Sequence, residues 1–116
     1  MSVAEPLVQA SLLGEAIDPG PVPVLVADEE GRYVAVNDYA CKLLGYTREE
    51  LLQLNVADIA REGKKAYDEM LRLSHWEGVV ALTRKDGSTV ELRWWARETR
   101  VAGMALYVAI GFPATE

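Results

Sequence analysis

The chain contains a single histidine, His75, and a single cysteine, Cys41. Imidazole and thiolate carry much of the proton transfer, nucleophilic attack and transition-metal binding in proteins. One of each supplies too few soft ligands for a zinc-type site. No paired general acid and base, nucleophile–histidine pattern, phosphate loop or metal-ligand spacing occurs. Asp28 and Asn37 are the polar residues that invite a catalytic reading, and each has a plainer task. Asp28 sits where a hairpin turns, and Asn37 stands where a helix needs a capping oxygen. Catalysis is therefore not expected, and no catalytic residue, metal ligand or cofactor is assigned.

The tryptophans carry the remaining chemistry. Trp94 shares a strand face with Val90 and Leu92, so it points into the core or a pocket, where an indole either packs or stacks on a planar ligand. Trp95 points to the opposite face among charges, where a tryptophan covers an interface more often than it stands in water. Arg93, Arg97 and Arg100 lie close together, but Glu91 and Glu98 are interleaved, which reads as a mixed solvated face. The formal charge of −6 repels phosphate backbones, so nucleic acid is not an expected partner.

At 116 residues, half of them apolar, the chain suits one domain that folds without metal or disulfide. No apolar run approaches the roughly 20 residues of a membrane span, and no basic stretch followed by an apolar core opens the chain. A lone cysteine has no intrachain partner and fits a reducing compartment, so a cytoplasmic location without membrane contact is expected.

Apolar spacing predicts an amphipathic helix over Pro6 to Ile17, with Val8, Leu12 and Ala16 recurring at i+4 and Leu13 and Ile17 beside them. Asp18-Pro19-Gly20-Pro21-Val22-Pro23 breaks the chain. Strands follow at Val24–Ala27 and Arg32–Val36, joined through Gly31. Asn37 caps a helix that Gly45 ends. Thr47 to Glu50 is a capping box, expected to open a helix over Leu51 to Leu54. Asp58 caps or begins a further short turn. Lys64 to Leu73 reads as a longer helix with Tyr67, Met70 and Leu71 on one face and His75 near its carbonyl end. Gly78–Thr83 and Thr89–Ala96 form a second hairpin through Asp86-Gly87, and Met104–Gly111 is an almost wholly apolar, hence central, strand. The order predicts an α+β fold with an antiparallel sheet and helices gathered on one face.

Val26-Ala27-Asp28-Glu29-Glu30-Gly31-Arg32-Tyr33-Val34-Ala35-Val36-Asn37 resembles the first hairpin of PAS domains. Ala40, Leu43-Leu44-Gly45-Tyr46-Thr47 and Glu49-Glu50-Leu51-Leu52 are similar to that family's first helices, and Arg84-Lys85-Asp86-Gly87-Ser88 to its second hairpin. The resemblance spans residues 18–112, after a flanking helix at 1–17 and before a tail or linker at 113–116. It implies a five-stranded antiparallel sheet and a helical bracket around a small pocket. It also implies a sensory or dimerisation module that regulates an effector domain or partner protein. The chain, on this reading, is the first domain of a longer protein or a stand-alone regulator.

Departures from the family pattern narrow the expectation. Haem-binding members place a histidine nearer Arg72 than His75. Flavin-binding members carry their reactive cysteine in a segment that here reads Asn55-Val56-Ala57-Asp58-Ile59, while Cys41 falls where a small core residue belongs. Neither haem nor flavin is expected. The Asp-Ile-Thr segment that passes the signal onward is replaced by Pro113-Ala114-Thr115. The expected pocket is lined by Cys41, Leu44, Tyr67, Leu71, Leu92, Trp94 and Leu106, suiting a small apolar or aromatic ligand. A homodimer is expected through Leu7, Val8, Leu12, Leu13 and Ile17 of the first helix and Trp95 of the outer sheet face. The alternatives are a filled core that serves interaction alone, and a first helix folded back over Trp95 in a monomer.

Overall fold

The computed structural model describes residues 6–60 and 63–113. Helix α1 spans Pro6–Ile17, and strands β1 (Val24–Ala27) and β2 (Tyr33–Val36) follow the Pro-Gly-Pro break. Asp28 closes their hairpin, its Oδ1 accepting from the N–H groups of Glu30 and Arg32. Gly31 meets the turn with φ 85°.

Four helices come next: α2 (Asp38–Leu44), α3 (Arg48–Leu51), α4 (Val56–Ile59) and α5 (Gly63–Leu73). Asn37 caps α2 and Gly45 ends it in the left-handed conformation, φ 82°. The Thr47–Glu50 box is closed in both directions, but it encloses Arg48–Leu51 rather than opening a helix over Leu51 to Leu54. The cap residue is the last one outside the helix, so the helix begins directly after Thr47. Asp58 belongs to a second capping box, with Asn55 as the cap of α4.

Three long strands complete the chain: β3 (His75–Thr83), β4 (Thr89–Val101) and β5 (Met104–Pro113). All neighbours pair antiparallel in the order β2-β1-β5-β4-β3, which places apolar β5 at the centre. α2 to α5 lie on one face, where Leu25, Ala27, Leu92 and Trp94 meet Ala40, Cys41, Leu44, Leu51 and Ile59 in one core. The hairpin between β3 and β4 is anchored to α2, because Arg84 Nε donates to the Leu43 carbonyl and Lys85 N to that of Leu44.

His75 is not at a helix end. Ser74 takes φ 66°, stopping α5, and His75 starts β3 opposite Arg97. Ser74 holds the turn: its carbonyl accepts from Glu98 N, and its hydroxyl donates to the Glu98 carboxylate at 3.0 Å.

The junction after α1 is tied down by polar side chains. Asp18 Oδ1 accepts from Asp38 N at 2.8 Å and from Arg48 Nη2 at 3.2 Å, and Arg48 Nη1 donates to the Val36 carbonyl. These bonds, the one from Asp38 first, hold the Asp18 carboxyl below its usual range. A carboxyl with a depressed folded pKa stabilises the fold above its unfolded value, about 3.9, and that contribution is lost as pH falls through the folded value. Urea midpoints of wild type and Asp18→Asn should therefore differ at neutral pH and converge only in acid below about pH 4. A gap that stays constant to the acid limit overturns the assignment.

Candidate functional site

The inner face of the sheet pairs its largest residues with its smallest. Trp94 of β4 stands between Gly78 of β3 and Gly111 of β5, and in the next row Trp76 is followed by Ala96, Ala109 and Leu25. Each indole closes over a glycine, Trp94 over Gly111 and Trp76 over Gly78. A Cβ built on Gly111 would sit 2.8 Å from Trp94 Cζ3, and one on Gly78 would sit 2.5 Å from Trp76 Cη2. Both are closer than carbon atoms pack, so these positions must be glycine for the rings to lie there.

What the rings leave open is an apolar cavity of about 90 Å³ between sheet and helices. Tyr33, Tyr67, Trp76, Trp94 and Tyr107 form its aromatic wall, with Leu25, Ala27, Ala96 and Ala109 as its floor. The Tyr67 hydroxyl donates to the Asp28 carbonyl, fixing α5 to the first hairpin, and its ring meets Tyr107 edge-on at 5.8 Å. Trp76 Nε1 donates to Glu69 of α5 at 3.0 Å. Trp94 Nε1 is buried and has no acceptor among the described residues. Burial pushes the Tyr33, Tyr67 and Tyr107 hydroxyls up, so all three stay neutral at physiological pH. The wall thus offers neutral aromatic surface and no charge.

Of the residues expected to line a pocket, Tyr67 and Trp94 line this cavity. Leu44 and Leu92 are buried in the surrounding core, and Leu71 packs on Ala96, Ala105 and Tyr107 beyond it. Leu106 faces the opposite side of the sheet: Ala105, Tyr107, Ala109 and Gly111 point inward, and Leu106 alternates with them. Cys41 is buried on the inner side of α2, and loss of solvation holds its thiol above the usual value. A thiol reagent should label native Cys41 far more slowly than the urea-unfolded chain. Equal rates would place the sulfur in solvent. Tyr33, Trp76, Ala27, Ala96, Ala109 and Tyr107 were not foreseen. The Trp76-Glu77-Gly78 triplet was the available signal, an indole two residues from a glycine on the same strand face.

Trp95 lies half-buried on the outer face, across from Ile110 and Glu77. Val8, Leu12, Leu13 and Ile17 of α1 are all exposed, so the helix does not fold back to bury them. The side chain of Leu7, and residues Ala114 and Thr115, lie outside the described residues.

The sequence profile of the PAS domain matches residues 21–99. The chain belongs to the PAS domain family. The solved structures agree in fold. A PAS domain from a two-component sensor histidine kinase superposes with TM-score 0.83 at 14% identity, covering 93% of this chain and 98% of that one. The PAS domain of an HTR-like protein from Haloarcula marismortui gives 0.81 at 21% identity, covering 91% and 92%. A Rhodobacter sphaeroides LOV protein gives 0.73 at 15% identity, covering 94% of this PAS domain and 69% of that chain. No curated protein matches the sequence. No helix among the described residues is long and apolar enough to cross a membrane, and those residues hold no cluster fit for a metal ion.

Proposed function

We propose that this sensory PAS domain works as a homodimer that passes a conformational state to an effector, with a cavity reserved for at most a small apolar ligand. The observation that carries the reading is the exposure of α1: Leu12 and Leu13 are 64% and 70% exposed on a helix too short to persist unpacked in water. The outer sheet face adds Trp95, Leu106, Val108 and Ile110, each partly open. A second copy supplies cover for both surfaces. Light scattering on the intact chain should give twice the monomer mass, and Leu12→Glu/Leu13→Glu should give the monomer. A wild-type monomer well above about 1 μM would overturn the proposal, since a Kd that weak leaves little dimer in a cell.

The cavity supports the second half. Pockets for drug-sized ligands run from about 300 to 1,000 Å³, so a volume of about 90 Å³ suits a few heavy atoms and neither a flavin nor a haem. Freshly purified protein should be colourless. A flavin spectrum, or a Soret band lost in His75→Ala, would refute this.

A further inference from the structure

We infer that the cavity takes a small neutral molecule carrying a hydrogen-bond acceptor and no donor, of the size of a short ketone, and that Trp94 Nε1 donates to it. The inference rests on the small-ligand half of the reading above and names the chemistry of the ligand. Among the described residues, Trp94 Nε1 is the one buried side-chain nitrogen or oxygen without a hydrogen-bond partner. Trp94 is 6% exposed and lines the cavity. The other indole of the wall, Trp76, already donates to Glu69, and the Tyr67 hydroxyl donates to the Asp28 carbonyl. Nε1 lies across the ring from Cζ3, the atom closest to a Cβ built on Gly111, so the N–H edge is turned away from that glycine. A buried donor left unpaired is costly, and an acceptor that enters the cavity relieves that cost.

Size and charge narrow the class. A water claims about 30 Å³ of liquid, so a cavity of about 90 Å³ admits roughly three to five non-hydrogen atoms. Water itself is a poor occupant, because it takes two to four polar partners and this lining is mostly carbon. A donor on the ligand would face the same carbon unpaired, which disfavours alcohols and primary amides. An anion fares worse. The wall offers it no counter-charge. The groove outside shares Tyr67 and Val56 with the cavity and carries Glu29, Glu30 and Asp68, so an anion approaching from that side meets like charge.

Three probes of similar size test this: butanone, its alkene counterpart with CH₂ in place of the carbonyl oxygen, and propanoate. Each is titrated into the millimolar range, where ligands this small bind. In proton–nitrogen correlation spectra, butanone should move the Trp94 indole N–H downfield and leave that of Trp76, bonded to Glu69, near its place. The Trp94 signal is assigned by its loss in Trp94→Phe, whose backbone spectrum also shows that the variant is folded. The alkene should bind without the downfield shift, and propanoate should not bind. Trp94→Phe should weaken butanone by about fivefold relative to the alkene, the worth of one hydrogen bond. The smaller ring alters the cavity for both ligands, so the ratio isolates the bond. An unchanged ratio, or no downfield shift at saturation, would overturn the inference while leaving the cavity a small-ligand site. Propanoate bound as well as butanone would overturn it too. Binding of neither neutral probe would remove the small-ligand reading along with it.

Discussion

Trp94→Ala should lower the stability of the domain by about 3 kcal/mol, the low end of the range for truncating a buried tryptophan, and should leave a site that binds indole. The indole is 6% exposed and rests on Gly111, with a second glycine, Gly78, opposite it on β3. Neither glycine has a side chain to move into the space it vacates. The low end is expected because wild type already carries a cost: Trp94 Nε1 is a buried donor without an acceptor among the described residues, a penalty of about 1–3 kcal/mol that alanine removes. The same reasoning makes Trp94→Phe nearly neutral, since the ring is mostly retained and the orphan N–H is gone. Urea titration of the three proteins measures both differences. A phenylalanine variant as unstable as the alanine variant would show that Nε1 has a partner in solution. Added indole should raise the melting temperature of Trp94→Ala and leave wild type unchanged, because a vacated apolar cavity stays dry and accepts a ring of matching size.

The glycines explain why the cavity was only partly legible. Sequence reasoning looks for large apolar residues at core positions, and here the small ones decide where the large ones lie. Nothing local says that Gly78 and Gly111 flank Trp94, since that follows from the pairing of β3 and β5 with β4. The phase of β5 was hidden for another reason. Met104–Pro113 is apolar on both faces, so it shows no alternation from which to assign Leu106 outward. Thr89–Ala96 alternates cleanly, and the inward set of Val90, Leu92, Trp94 and Ala96 was read correctly from it. Short-range signals were likewise sufficient where the interaction spans few residues. The caps Asn37 and Gly45 and the bounds of α1 and β1 stand where capping and turn chemistry placed them. His75 was misplaced because the break at Ser74 is a left-handed serine, which no glycine or proline announces.

Asn37→Ala should cost about 3 kcal/mol or more, well beyond the roughly 0.5–2 kcal/mol of a lost helix cap. The sequence shows the cap alone, the bond from Ala40 N to Asn37 Oδ1. The fold adds a second acceptance, from Val24 N at 2.9 Å, and two donations from Nδ2, to the carbonyls of Ile17 at 2.8 Å and Val22 at 2.9 Å. All four hydrogen-bonding positions of the amide are used, in a side chain only 6% exposed. Alanine leaves the partner groups to find other bonds in a closed junction, which carries the larger part of the expected loss. Asn37→Asp and Asn37→Ser separate the contributions, because each restores a capping oxygen while neither donates to both carbonyls. Urea titration should rank wild type first, these two intermediate and alanine last, with aspartate further penalised by facing two carbonyl oxygens. If serine matches wild type, the cap is the whole of the effect. If it falls short, the remainder belongs to the clasp between the end of α1, the start of β1 and the start of α2. That clasp aims the exposed helix, so Asn37→Ser should also weaken any contact α1 makes with a second copy, while circular dichroism still shows a folded domain.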